Sequence, residues 1–569
     1  MQKETKKREQ HFIKTIITAS IIAVCVVLFA TKTLFFRIDL TEEKRYTISQ
    51  NSKNLLKNLN KPLKINIYIG QADVNIAKLK TSVNEILDEF SAYSSKPLIY
   101  KYINPSNAAS ERERMKNYDE LENRGMTPIT ISVRDSQGKI SQQIIFPWAE
   151  IIAENDTVQV CIMQPTGRLS GEESVNAAIE GLEYQFIDAI RILTQKEFQK
   201  IAFLEGHGEF SELETYYAQE SLNKYFQIDR GVLGDDASVI KDYSAIIIAK
   251  PTEKFSESDK FIIDQYIMNG GKVLWLLDAV QLSNEELSKS GVSPVVPLDL
   301  NLTDMLFRYG VRVEPSIVQD MQCVQIPINV AMTGETPHFE PVPWTYSPLL
   351  MTNPYHPITK NLMNVKATYS SHLEQVSEEN GIKMEILLQT SNGSRADMSP
   401  TQINVKTLVQ NKPEEYFIMQ YIPVAVAMEG EFESVFARRQ TPQNLQNILP
   451  RKDKSAKNRM IVVADGDIIR NEIDRSQGSI GILPLGLDRL TGQTYGNNNF
   501  IINALQYLTE DEKWLELRNR AISLRLLNKT AITSYRTFYQ FINIAIPLVF
   551  LLLFGGIFLS LRKYKNKVV

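Results

Sequence analysis

Lys200–Phe210 reads KIAFLEGHGEF. An apolar run ends in a glutamate, two glycines bracket His207, and a second glutamate follows. The run is flanked by segments of the same kind. TVQVCIM (157–163) reads as a strand, and SGEESVNAAIEGLEYQFIDAIRILT (170–194) as one long helix. Its apolar positions Val175, Ala178, Ile179, Leu182, Phe186, Ile187 and Ile190 keep close to a 3.6-residue period. Beyond Phe210 come SELETYYAQESLNKYF (helix), YSAIIIAKP (strand), SESDKFIIDQYIMNGG (helix) and KVLWLLD (strand). Nearly unbroken apolar strands alternating with helices predict a parallel sheet covered on both faces.

Four readings compete for the GHG turn. A dinucleotide fingerprint wants GxGxxG, but Gly206 and Gly208 are followed by Ser211 rather than a third glycine. Metal binding would use Glu205, His207 and Glu209, without an HxxxH or HExxH beside them. A catalytic His207 would need a nucleophile, and no GxSxG or GxCxG accompanies it. The plainest reading is a strand-end turn shaped by two glycines, with SELE capping the next helix. Strand carboxyl ends are nonetheless where such sheets bind ligands. Glu205, His207, Glu209, Asp278, Asp465 and Asp467 all fall at expected strand ends and are the candidate ligand-binding residues. No catalytic residue, metal ligand or cofactor motif is assigned. MNGGKV (268–273) lacks the first glycine and the Ser/Thr of a phosphate-binding P-loop, so any ATP is hydrolysed by another subunit.

Upstream, YTISQNSKNLLKNLN has Ser49 as a helix cap, PLKINIYIG alternates as a strand, IAKLKTSVNEILDEFSAYS is an amphipathic helix, and PLIYKYINPSN is a second strand. This predicts a small α/β domain. Downstream, residues 341–455 are a mixed, β-leaning excursion, after which RMIVVADGD reads as a buried strand and NNNFIINALQYLTE as a helix that completes the parallel sheet. The three cysteines form no CxxC pair; Cys161 and Cys323 read as two separate buried thiols.

Each end carries an apolar run. Ile16–Phe36 holds one charge, Lys32, and Phe541–Leu561 holds none. Each is long enough to cross a bilayer. Lys3, Lys6, Lys7, Arg8 and Lys14 precede the first, and Arg562, Lys563, Lys565 and Lys567 follow the second, which places both termini in the cytoplasm. A cleaved signal peptide is the rival for the first run, but no small-x-small site precedes RIDLTEEKRYT. The segment between, residues 38–540, carries 52 basic and 64 acidic residues, which argues against a nucleic-acid partner. Arg518, Arg520, Arg525, Lys529 and Arg536 cluster before the second span, within reach of lipid headgroups or simply of solvent.

The expected organisation is a tail 1–15, a span 16–36, a small α/β domain 46–155, a parallel-sheet domain 156–340, the β-leaning region 341–455, a sheet-completing segment 456–512, a juxtamembrane helix 513–540, a span 541–561 and a tail 562–569.

RIDLTEEKRYTIS after the first span, then FPWAEI, EESVNAAIEGLEYQF, IAFLEGHGE, NGGKVLWLLD, NPYHPITKNL and the terminal FINIAIPLVFLLLFGG, in that order, resemble the gliding-motility-associated ABC-transporter components of the GldG family. The resemblance covers nearly the whole chain. It implies a substrate-binding or auxiliary subunit working with a membrane permease and a separate ATPase. The large domain would face the periplasm from the inner membrane and bind a periplasmic protein or small ligand. It also implies a flavodoxin-like or degenerate amidotransferase-like central domain that binds rather than catalyses. A membrane-tethered hydrolase using His207, and a scaffold that binds proteins alone, are the alternatives.

Overall fold

The computed structural model describes residues 47–509 and 534–567 except 71–73, 135–139, 164–170, 196, 235, 330–335, 337, 377–380, 406–413, 444, 448–449 and 475–480, together with Thr18, Trp514 and Leu517. The first expected span, 16–36, lies outside the described residues apart from Thr18, as does most of the expected juxtamembrane helix.

The small domain begins with α1 (Gln50–Lys57), capped by Ser49, whose side chain accepts from the Ser52 amide. Its sheet and packing helices are β1 (Leu63–Ile67), α2 (Val74–Tyr93), β2 (Leu98–Tyr102), β3 (Trp148–Ala153), β4 (Asp156–Cys161) and α3 (Gly171–Thr194), with a helix Glu111–Glu122 and a hairpin of Ile129–Arg134 and Ile140–Ile145 between β2 and β3. The strands lie in the order β2-β1-β3-β4. α2 crosses over so that β1 and β2 run parallel, while β3 and β4 are antiparallel. The apolar stripe of α3 (Val175, Ala178, Leu182, Phe186, Ile187, Ile190) enters this core with Leu79, Val83 and Phe90 of α2. β4 and α3, which lie past the expected boundary at 155/156, share this sheet and core. A helix buries its stripe against whichever sheet it can reach, and sequence order alone does not say which.

The central sheet uses β5 (Gln199–Glu205), β6 (Phe226–Val232), β7 (Ala245–Ala249), β8 (Lys272–Leu276), β9 (Cys323–Asn329), β10 (Phe339–Thr352), β11 (Lys383–Gln389), β12 (Pro423–Glu433) and β13 (Lys454–Val463). With the short strand Val365–Lys366 paired to β10 it has ten strands, ordered β9-β10-β11-β12-β13-β8-β7-β5-β6. From β6 to β13 every pair is parallel. From β13 to β9 every pair is antiparallel. The sheet is thus mixed rather than parallel. The β-leaning stretch is its other half, and not an excursion from it.

In chain order, the parallel half runs second-first-third-fourth-fifth, the order of flavodoxin-like sheets. α4 (Tyr216–Leu222) and α6 (Asn497–Leu508) cover one face through Ala218, Leu222, Phe500, Ile501 and Leu505. α5 (Glu257–Met268) and the helix Thr303–Tyr309 cover the other through Ile262, Ile263, Ile267, Met305 and Leu306. All of β7, AIIIA, is buried, which explains its uninterrupted apolar sequence. α4 is shorter than SELETYYAQESLNKYF suggested, because Glu214 turns back to accept from the Ser211 amide (3.1 Å) and hydroxyl (2.9 Å), closing a turn before the helix starts.

Cys161 and Cys323 are unpaired and half-buried, and burial pushes their thiols up to about 11 and about 12. Among the described residues, one helix is long and apolar enough to cross a membrane: Arg536–Ser560, within α7 (Arg536–Lys567). None of its described apolar side chains is buried.

Candidate functional site at the carboxyl edge of the sheet

β5 ends at Glu205, and the chain turns through Gly206 (φ +111°) and Gly208 (φ +73°). Between them His207 is buried, its ring stacked on Phe255 at 3.7 Å and 13°. Both ring nitrogens face carboxylates: Nδ1 is 3.1 Å from Glu209 Oε1 and Nε2 is 3.2 Å from Asp259 Oδ2. Burial alone would lower the imidazole's pKa, but these two partners outweigh it and hold it at about 9. His207 is therefore an imidazolium at neutral pH, with both N–H groups donating. It has no lone pair with which to act as a base. Asp259, in the first turn of α5, is stabilised as a carboxylate by His207 and Ser256 against the cost of its burial, so its pKa falls.

The His207 carbonyl accepts two amides from the loop after β7, Thr252 and Glu253, each at 2.8 Å. A Cβ on Gly208 would sit 2.1 Å from Thr252 Oγ1. β5 and β7 are the first and third strands of the parallel half. The point where strand order reverses, and where such sheets usually open a crevice, lies between them. Here the two loops are joined across it. The glycines of FLEGHGE serve that close approach. Glu205 is likewise engaged: Arg230 Nε donates to it at 2.7 Å, while the other arms of Arg230 reach Thr215 Oγ1 (3.1 Å) and the Phe210 carbonyl (2.7 Å).

The three aspartates converge. Asp278 follows β8, and Asp465 and Asp467 follow β13; one carboxylate oxygen from each lies within 4.8 Å of the others. Such an all-oxygen set suits a hard divalent cation. The cation present among them is the Lys250 ammonium. Lys250 ends the β7 strand region with φ 54° and bridges Asp278 Oδ2, at 2.9 Å, to Asp467. Burial works against its charge, but Asp278 and Asp467 outweigh burial and hold its pKa well above the usual lysine value. Asp465 is fully buried, with its Oδ2 taking the Thr368 amide (2.6 Å) and Ser370 hydroxyl (2.7 Å) and its Oδ1 the Asp467 amide (2.8 Å). Burial, then Asp467 and Asp278, push its carboxyl well above the usual range; burial also raises Asp278, against the pull of Lys250.

Beside this cluster opens a cleft of about 710 Å³ lined by Ser211, Glu214, Lys366, Thr368, Asp467, Arg470, Asn471, Glu472, Arg489 and Asn497, among others. Lys366 and Arg489 are held on Glu472 at 2.9 and 2.6 Å. Arg470 is held more loosely, 3.3 Å from Glu214 and 3.6 Å from Asp467, over the Phe210 ring at 5.2 Å. Its half-exposed guanidinium keeps donors that a ligand can use.

The structure thus brings Asp278, Asp465 and Asp467 together, places His207 with Glu209 in a second cluster, and sets Glu205 apart on Arg230. Sequence reading missed Lys250, Asp259, Arg230 and Arg470. The signal for Lys250 was present: it is the charge that ends the apolar run AIIIAK.

Fold and edge define a class: a flavodoxin-ordered α/β domain, fused to a small α/β domain and a membrane-type helix, whose strand-end charges are paired internally. The chain belongs to the family described as ABC-type uncharacterized transport system, whose model matches residues 199–504, from the first residue of β5 into α6. Residues 42–152 match a domain of unknown function. An uncharacterized protein of Borreliella burgdorferi is 22% identical over 445 residues, 76% of this chain and 78% of that protein. Among solved structures, the mmIFT52 N-terminal domain aligns at 14% identity over 55% of this chain and 97% of its own, with a TM-score of 0.31. A putative ThuA-like protein from Parabacteroides merdae aligns at 8% identity over 56% of this chain and 91% of its own, with a TM-score of 0.26. Both likenesses are loose.

Proposed function

We propose that this chain is a non-catalytic, membrane-anchored auxiliary subunit of an ABC-type transport complex, in which a separate permease moves cargo and a separate ATPase supplies the energy. The match to the transport-system family across residues 199–504 carries this reading. The internal pairing of His207, Lys250 and Arg230 supports a binding role over a catalytic one, since each of these three cations is already held on a neighbouring carboxylate. In this reading the cleft beside Asp467 and Arg470 engages a ligand or a periplasmic protein. α7 and the run 16–36 anchor the chain in the inner membrane, with both tails in the cytoplasm and the large domain in the periplasm. The GldG-like order of motifs extends the reading to the gliding machinery.

The test is purification of the tagged full chain from native membranes in mild detergent. Recovery of a multi-span permease and a P-loop ATPase in fixed ratio is expected. Recovery of the chain alone, or with periplasmic proteins alone, overturns the reading.

A further inference from the structure

The face of the central sheet covered by α5 and the helix Thr303–Tyr309 carries a second cleft, of about 540 Å³. It lies at the opposite edge from the strand-end aspartates. Glu433 ends β12 across from Lys454 at the start of β13, whereas Asp465 and Asp467 follow the end of β13. Ile382, Val435 and the half-exposed Phe307 give the cleft apolar walls. Three arginines and three carboxylates share the lining. Arg308 is held on Glu433 at 2.6 Å, Arg439 on Asp304 at 2.7 Å, and Glu431 takes Lys454 at 2.7 Å. Asp304 also accepts from the buried Lys260 ammonium at 2.9 Å, so two cations already match it. Arg438 is exposed and, among the described residues, has neither a carboxylate nor a carbonyl to donate to.

The loop that carries Arg438 is fixed in advance. Asp264 of α5, fully buried, accepts the Ser434 hydroxyl at 2.6 Å and the Val435 amide at 3.1 Å, and the Tyr309 hydroxyl donates to the same carboxylate at 2.9 Å. Arg451 donates to the Phe436 carbonyl at 2.6 Å and the Arg439 carbonyl at 3.1 Å. A loop held at so many points loses little freedom when its side chains engage a ligand. A guanidinium whose donors are unspent takes a carboxylate through two parallel N–H···O bonds. A simple anion would also face Glu431 and Glu433. A peptide brings amide N–H donors for those carboxylates, an acid for Arg438 and an apolar side chain for the walls.

We propose that this cleft docks a peptide segment of a partner protein in which a glutamate or aspartate stands beside an apolar residue, and that Arg438 takes the acid. The proposal stands apart from the transport reading, because it is measured on the purified chain alone; failure to recover a permease and ATPase would leave it untouched.

The experiment is fluorescence anisotropy of a dye-labelled Glu-Leu-Glu-Leu amide titrated with the full chain in detergent. The same peptide with glutamine in place of glutamate is the neutral control. Saturable binding is expected, at least about tenfold tighter for the acidic peptide than for the neutral one, with about a tenfold loss in Arg438→Gln, the effect of removing one charged hydrogen-bonded pair. Arg438 supports no other group, so this variant should keep the parent's unfolding midpoint. Lys289→Gln removes an equal charge from the exposed helix Asn284–Ser290 and should leave binding unchanged. Phe307→Ser should weaken binding through the apolar wall; if it fails to fold, Arg438→Gln still decides. Equal affinity for the two peptides, parental affinity in Arg438→Gln, an equal loss in Lys289→Gln, or no saturable binding overturns the proposal. Displacement of the labelled peptide by free acetylglutamate as readily as by unlabelled peptide would assign the cleft to a small acid and overturn the peptide reading.

Discussion

Replacing Lys250 by Met tests whether the strand-end aspartates are held by an internal cation. Methionine keeps the length and apolar stem of lysine and removes the charge, so little cavity is created. The ammonium sits 2.9 Å from Asp278 and also contacts Asp467, with its side chain 20% exposed. At an effective dielectric of about 20, one such pair is worth about 6 kcal/mol gross, much of it offset by desolvation. Removing one partner of a buried pair typically costs about 3–5 kcal/mol, because the remaining charge is left uncompensated. That is the loss expected at pH 8 from denaturant unfolding of the full chain in detergent, followed by tryptophan fluorescence. The pH dependence sharpens the test. Asp278 and Asp465 have raised folded pKa values, so the native state holds more protons than the unfolded chain, and their contribution falls as pH rises through those values. Without the ammonium, which pulls it down, Asp278 rises further. Acidification to pH 5 should therefore rescue the variant more than the parent, shrinking the deficit to less than about 2 kcal/mol. Lys250→Arg, which retains the charge, should recover most of the loss. A deficit below about 1 kcal/mol at pH 8, or one equal at pH 5 and pH 8, would refute the ion-pair account.

His207→Gln should cost about 2–3 kcal/mol near pH 6, since a histidine held at about 9 contributes stability that is fully present below its unfolded pKa of 6.5 and is lost as pH rises through the folded value; a variant–parent gap that does not narrow between pH 6 and pH 10 would count against the imidazolium. The same variant should still recover its membrane partners, whereas a tethered hydrolase built on His207 would keep its assembly and lose its function. Gly208→Ala forces a Cβ against Thr252 at a positive φ and should lower stability by roughly 2–4 kcal/mol, with Thr252→Ala in the same chain restoring part of it; no recovery in the double variant would mean that backbone strain rather than the loop contact dominates. Deleting residues 534–569 should leave the chain in the membrane fraction through the run 16–36 while abolishing co-purification with the permease, and release into the soluble fraction would show a single anchor.

The parts of this fold legible in the sequence are those whose burial leaves one interpretation. AIIIA, KVLWL and RMIVV are apolar on both faces, and a strand of that kind fits the interior of a sheet covered by helices. The antiparallel half was legible as strands and not as a continuation of the same sheet, because alternation gives a strand its faces and not its neighbour. β12 finds β13 through a register, Ala425 opposite Val463, that no local pattern encodes. The site divides in the same way. Which residue types stand at strand ends was readable; what neutralises them was not, since Lys250 meets Asp467 across 217 positions and His207 meets Asp259 across 52. Those distant partners decide the chemistry. A histidine between two carboxylates is a cation and a structural tie, while the same histidine beside a serine would be a base. A lysine among three aspartates closes a site that would otherwise suit a metal. The edge of the sheet where related folds leave room for a ligand is here occupied by the protein's own charges, and in the proposed reading binding moves sideways to the cleft where Arg470 alone among the three basic groups is loosely held. Under that reading a partner engaging there contacts loops that follow β5, β8 and β13 and are tied through Lys250 to β7, the arrangement expected of a subunit that relays contact rather than one that transforms a substrate.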